Sequence, residues 1–146
     1  MKSRINYYKV GEMGLKNMLS MEKYISSDML LDKKLIELVK IRISQINGCA
    51  FCLNMHTQDA RKLGETEQRI YLLNAWKETS LYTEQERMAL EFAETLTLIS
   101  THDISDTLYE KVRTLFDERQ YTDLVLLINQ MNSWNRIAIS MANKFA

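Results

Sequence analysis

No proline interrupts any of the 146 residues, and only four are glycine. An average chain of this length would carry roughly seven and ten. Proline breaks a helix more severely than any other residue, because it lacks a backbone donor and its ring clashes with the preceding turn. Its complete absence favours helix from end to end, and the segments read accordingly.

The helical periodicity predicts a short first helix over about Glu12–Tyr24, with Leu15, Met18, Leu19 and Glu22 on a thin face. Ser26, Ser27 and Asp28 supply turn chemistry, and Asp32 reads as the N-cap of a helix from Lys33 to about Ile46. There Leu31, Leu35, Leu38, Val39, Arg42 and Ile46 share one stripe, while Ile36, Ile41 and Ile43 fall elsewhere around the circumference. A helix apolar nearly all round is expected to be central. Asn47-Gly48 is the sharpest break in the chain. The next helix runs from Cys49 to Leu63, with Gly64 as its C′ residue. A helix over about Glu67–Glu78 follows. Thr83-Glu84-Gln85-Glu86 forms a capping box before a helix burying Ala89, Phe92, Ala93, Leu96 and Ile99. Ser105 caps a helix carrying Leu108, Val112, Leu115 and Phe116. The last, Thr122 to Lys144, buries Leu127, Met131, Trp134, Ala138 and Met141, with Val125, Asn129, Asn132 and Arg136 on its other side.

The only two cysteines and one of the two histidines fall within eight residues, Cys49 to His56. On a continuous helix, Cys49, Cys52, Leu53, His56, Ala60 and Leu63 occupy one arc of about 100°. The C-x-x-C spacing brings the Cα atoms about one turn apart, within reach of a disulfide. His56, four residues after Cys52, is its neighbour on that face. An imidazole there can take the thiol proton or, as imidazolium, stabilise the thiolate, the nucleophilic form. Cys49, near the helix start, is also favoured as a thiolate by unpaired N–H groups and the macrodipole. Two other readings accompany this one. The three side chains could simply be core residues, or two thiolates, the imidazole and a carboxylate could hold zinc; the second lacks the further Cys/His pair that most structural zinc sites use. His102 reads as a surface turn residue. By spacing alone Glu37 reads as one half of a solvated ion pair with Lys33 or Lys40. Arg42, on an apolar stripe, requires a carboxylate or helix C-terminal carbonyls.

Lys+Arg and Asp+Glu balance at 19 each without long runs of one sign, which argues against nucleic acid or an anionic membrane as the main partner. The start of the chain has no apolar h-region, and no apolar run approaches about 18 residues. A cytoplasmic protein of one domain, 1–146, is expected. In a reducing compartment a C-x-x-C pair points to redox cycling or metal before a structural bridge.

The run Glu37-Leu38-Val39-Lys40-Ile41-Arg42-Ile43-Ser44-Gln45-Ile46-Asn47-Gly48-Cys49-Ala50-Phe51-Cys52, followed by His56, Ala60 and Gly64, resembles the AhpD-like alkyl hydroperoxidase core of the carboxymuconolactone decarboxylase superfamily. The match is detailed over about Asp32–Gly64 and weaker through Trp76, Glu86-Arg87 and Asn132–Arg136. Its carrying pattern is Glu, eleven residues, C-x-x-C, three residues, His. The resemblance implies an all-α, AhpD-like helical bundle, with the C-x-x-C at the N-terminus of a central helix, assembling as a homo-trimer or hexamer. It implies Cys52 as the peroxidatic thiol, Cys49 as the resolving thiol, and Glu37 with His56 as a proton relay, so that Glu37 passes from ion-pair partner to relay member. No cofactor and no metal are implied. The partners implied are a hydroperoxide substrate and a dithiol reductant, either a lipoylated or a thioredoxin-like protein.

Two departures bear on these expectations. The well-studied hydroperoxidases carry an additional relay histidine between the cysteines, where this chain has Phe51. The decarboxylases that name the superfamily lack the C-x-x-C pair, so their activity does not transfer. The alternative function is a redox-sensing or disulfide-exchange module using the same pair without significant peroxidase turnover.

Overall fold

The computed structural model describes residues 4–143, and all its regular elements are helical. They are α1 (Tyr7–Val10), α2 (Glu12–Ser27), α3 (Lys33–Asn47), α4 (Ala50–Lys62), α5 (Glu67–Tyr71), a 3-10 segment (Leu73–Glu78), α6 (Glu84–Thr97), α7 (Asp106–Leu115) and α8 (Glu118–Ser140). Lys144, the expected end of the last helix, lies outside the described residues.

Helix α3 is the centre of the molecule, packed against α4, α6 and α8. Its start is fixed by Asp32, whose carboxylate accepts from the N–H groups of Lys34 and Leu35. Its all-round apolar surface divides between two cores. Leu35, Ile36, Val39 and Ile43 join Phe92, Phe116, Leu124, Leu127 and Ile128 on one side. Leu38 and Ile41 join Ala60, Ile70, Leu73, Trp76 and Leu90 on the other. With both sides covered, even Glu37 and Lys40 of this helix are buried.

Several expectations require correction. The segment Glu67–Glu78 is not one helix: α5 ends at Tyr71 and a 3-10 segment follows, with Ala75 at φ −116°, ψ 26°. Arg87 donates to the carbonyls of Trp76, Lys77 and Thr79, which satisfies acceptors left free at the end of the 3-10 segment. Helix α2 continues past Tyr24 to Ser27 and buries Ile25. Helix α8 begins one turn before Thr122, because Asp117 and Gln120 form a capping box. Ile99, expected inward, lies beyond the end of α6 and is exposed, as are Leu19 and Leu63. The short α1 had no signal of its own. Its Asn6 cap accepts from Lys9 N–H and starts the turn, and its buried Tyr7, whose hydroxyl accepts from Asn143, attaches it to the segment just after α8.

A line of amides fastens α8 to the C-terminal end of α3. Asn47 donates to the side-chain carbonyls of Asn132 and Asn135 at 3.0 and 2.9 Å. Asn135, fully buried, donates to Ser44 Oγ at 3.1 Å. These bonds close directly before Gly48, whose φ of 68° terminates α3 in a left-handed residue. That turn sets the entry of the cysteine helix.

Candidate active site

Cys49 is the N-cap of α4 and not its first helical residue: its sulfur accepts from Cys52 N–H at 3.3 Å. The two sulfurs are joined as a disulfide, with Cα atoms 5.4 Å apart. Both residues are almost completely shielded, yet their surroundings differ. Cys52, but not Cys49, lines a cavity of about 340 Å³, whose apolar wall includes Phe51, Met55, Met131 and Trp134. Tyr7 and Tyr8 from α1 complete its rim.

His56 follows Cys52 by one helical turn and faces the same cavity. Its Nδ1 lies 2.8 Å from Glu37 Oε2, across the α3–α4 interface. A carboxylate can only accept, so the Glu37 anion requires a proton on Nδ1 and leaves Nε2 as the basic nitrogen. Among the described residues no hydrogen bond joins His56 directly to either sulfur. The other Glu37 oxygen faces Lys40 Nζ at 3.4 Å, and Lys40 reaches Glu22 Oε2 at 3.5 Å. Glu22 Oε1 accepts from Trp134 Nε1 at 2.8 Å. A row of polar and charged side chains therefore runs from the buried His56, Glu37 and Lys40 to the half-buried Glu22.

All four residues singled out from the sequence, Glu37, Cys49, Cys52 and His56, lie together at the α3–α4 junction. The solvated ion pair read for Glu37 is corrected in one respect: Lys40 is its partner, but the pair is buried. The carboxylate expected for Arg42 is Glu94, whose Oε1 accepts from Arg42 Nε at 2.8 Å. The same oxygen accepts from Trp76 Nε1 at 2.7 Å. Burial pushes the Glu94 carboxyl up, but hydrogen bonds from Trp76, Lys77 and Arg42 and the charge of Arg42 outweigh it and hold the group below its ordinary range.

Among the described residues, Glu37, His56 and Asp59 bring ligand-type atoms within 4.8 Å of one another and form a set that could hold a cation. The donors are largely committed elsewhere, since Glu37 serves His56 and Lys40 and Asp59 takes Lys62 Nζ at 2.6 Å. The pairing of the sulfurs with each other also differs from the zinc arrangement considered above.

Four contributors escaped the sequence reading as site residues. Lys40 reads from the sequence as a surface ion-pair partner, because a charged residue on a helix is ordinarily solvated, and Glu22 only as a member of the thin face of the first helix, with nothing nearby to name its partner. Ser44 and Asn135 carried no chemical motif, although Asn132 on the same helix had been noticed as polar on an otherwise apolar element.

A helical bundle with a C-x-x-C pair at the head of a helix and a Glu–His pair beside it defines a class, and the comparisons identify it. Residues 15–95 match the Carboxymuconolactone decarboxylase family. The chain is 53% identical to the uncharacterized protein YdfG of Bacillus subtilis over 146 residues, covering 100% of this chain and 99% of YdfG. It is similar to the crystal structure of a protein of unknown function from Agrobacterium tumefaciens, proposed there to be the antioxidant defence protein AhpD. That match has a TM-score of 0.93 and 36% identity, covering 99% of each chain. It is also similar to an uncharacterized peroxidase-related protein from Silicibacter sp. TM1040, with a TM-score of 0.79 and 26% identity over 88% of this chain and 68% of that one. The protein belongs to the carboxymuconolactone decarboxylase family, as an AhpD-like member with an all-helical fold. No helix among the described residues is long and apolar enough to cross a membrane.

Proposed function

We propose that this protein is a thiol-dependent peroxidase that reduces hydroperoxides through a Cys49–Cys52 dithiol/disulfide cycle. The observation that carries the reading is that Cys52, with the His56–Glu37 pair one turn away, opens on the cavity while Cys49 stays behind it as the helix cap. His56 Nε2, directly or through a water, takes the Cys52 proton. The thiolate attacks one oxygen of ROOH, an S–O bond forms, the O–O bond breaks, and the departing alkoxide takes up that proton to give ROH. Cys49 sulfur then attacks the Cys52 sulfenic acid; the disulfide forms and water leaves.

An external dithiol, from a lipoylated or thioredoxin-like protein, completes the cycle by exchange. Its first thiolate attacks the cavity-facing Cys52 sulfur to give a mixed disulfide, which the reductant's second thiol then resolves by attacking the reductant's own first sulfur, releasing Cys52 and leaving the reductant as a disulfide. Cys49 leaves as a thiolate and remains the acceptor for Cys52 N–H at the positive end of α4. The leaving group of lower proton affinity departs faster, so the cap position suits Cys49 to resolution and release. We place this cycle in a cytoplasmic homo-oligomer, a trimer or hexamer, with the cavity near subunit contacts.

The test is Cys52→Ser, assayed with cumene hydroperoxide and an excess of dithiol. Turnover is expected in the wild type and none in the variant; equal turnover in both excludes the mechanism. Stopped-flow oxidation of the reduced protein by the hydroperoxide, compared with oxidation by a protein disulfide, separates this reading from a disulfide-exchange module, which reacts only with the second.

A further inference from the structure

The row His56–Glu37–Lys40–Glu22 contains a member that the proposed cycle does not use. Lys40 is 7% exposed, and its ammonium lies between two carboxylates, 3.4 Å from Glu37 and 3.5 Å from Glu22. Lysine is among the residues least often buried, and one placed here costs desolvation that a methionine would avoid. Glu22 is itself held from a third helix by Trp134. The ammonium is thus fixed by α2 and α8 as well as by its own helix.

We propose that Lys40 is a positioning residue for the Cys52 chemistry: it holds Glu37 as an oriented anion, which in turn holds His56 with its proton on Nδ1 and its basic Nε2 toward the cavity. Counting charges gives the reason. Glu22 and Glu37 together carry two negative charges in a half-sheltered site, and Lys40 supplies one positive charge between them. Without it, two carboxylates share a small volume, and such a pair is relieved by taking up a proton. A protonated Glu37 no longer dictates which nitrogen of His56 carries hydrogen. Lys40 lines the same cavity as Cys52, so loss of the ammonium also leaves the Cys52 thiolate with one nearby positive charge fewer. Both effects act in one direction: a neutral Glu37 weakens His56 as the proton acceptor, and the missing cation leaves the thiolate less favoured. The charged or titratable groups around this row are Glu22 on α2, Glu37 and Lys40 on α3, His56 and Asp59 on α4, and the Tyr7 and Tyr8 hydroxyls of α1. Asp59 is already engaged by Lys62.

The inference builds on the peroxidase reading, but its test does not depend on peroxide turnover. The fully reduced protein is alkylated with iodoacetamide across a pH series, and modification of Cys52 is followed by mass spectrometry. Lys40→Met is expected to slow alkylation about tenfold near neutrality, less than the roughly hundredfold or more that a positioned base contributes, because His56 itself stays in place, and to move the rate profile toward higher pH. Lys40→Arg, which keeps the charge, is expected to recover most of the rate. The double variant Lys40→Met/Glu22→Gln removes one charge of each sign; it secures a folded protein if the single variant does not fold, and, because Glu37 loses its cation but no longer faces a second carboxylate, it is expected to be slowed less than Lys40→Met and still to fall below wild type. Wild-type rates and profile in Lys40→Met or in the double variant overturn the proposal, as does a folded Lys40→Arg no faster than Lys40→Met. Absence of peroxide turnover in the wild type, with the alkylation pattern intact, defeats the peroxidase reading alone.

Discussion

Glu37 and His56, 19 residues apart in the chain, meet at 2.8 Å in a buried contact between the two helices that flank the cysteine turn. Their pairing links the composition of α3 to the chemistry of α4. Glu37→Gln keeps the size and a hydrogen-bonding oxygen but removes the charge that orients the imidazole. Peroxide turnover is expected to fall about a hundredfold, the scale of a lost acid–base contribution, with little change in thermal midpoint. Steady-state assay together with circular dichroism melting checks both halves.

If Cys49 resolves the oxidised Cys52, then Cys49→Ser stops the cycle after one step. A single equivalent of hydroperoxide should then leave Cys52 as a sulfenic acid that dimedone traps. Intact-mass analysis is expected to show one adduct in Cys49→Ser and none in Cys52→Ser. An adduct in the second variant, where only Cys49 remains, would reverse the assigned roles.

Asn135 joins Asn47 to Ser44 inside the α3–α8 contact. Truncation to alanine leaves the Ser44 hydroxyl and one Asn47 donor without this partner and opens a small void. The expected cost is about 2 kcal/mol, read from urea denaturation with an unchanged m-value.

Gly48 adopts φ 68°, and a Cβ there would meet nothing within 4 Å. The penalty of Gly48→Ala is therefore conformational alone, about 1 kcal/mol. Gly48→Asn is expected to cost less, because asparagine tolerates the left-handed region. A smaller loss in alanine than in asparagine would contradict this account. Chemical denaturation of the two variants side by side decides it.

Glu94 sets an acid limb of stability. Its folded-state carboxyl lies below the ordinary value because Trp76, Lys77 and Arg42 favour the anion against burial. A depressed group contributes stability above its unfolded value of about 4.3, and that contribution is lost as pH falls through the folded value. Wild type is thus expected to be more stable than Glu94→Gln at neutral pH, with the difference shrinking below about pH 4. Thermal midpoints of both proteins across pH 7 to about 3 give the comparison; a constant gap would contradict the assignment.

By itself the sequence determined the helical class and most helix starts. Those properties are local: proline is absent, and Asp32, Thr83 and Ser105 cap their helices through side-chain bonds spanning two or three residues. The cysteine pair and its neighbouring histidine were legible for the same reason, since one helical turn brings them together. Sequence periodicity alone left Glu37 in solvent, and only the resemblance moved it to the site.

Tertiary structure decided what local spacing does not encode. Covering α3 on both sides buried Glu37 and Lys40 and turned a surface ion pair into a charged row beside the sulfurs. Glu22 and Asn135 come from helices distant in sequence, and nothing within one turn of either foretells its partner. Arg87 reaches from α6 to the carbonyls of Trp76 and Lys77, a contact no local pattern announces. The physical reason is common to these cases: desolvation and long-range hydrogen bonding depend on which elements meet, and that depends on packing of the whole chain rather than on its local pattern.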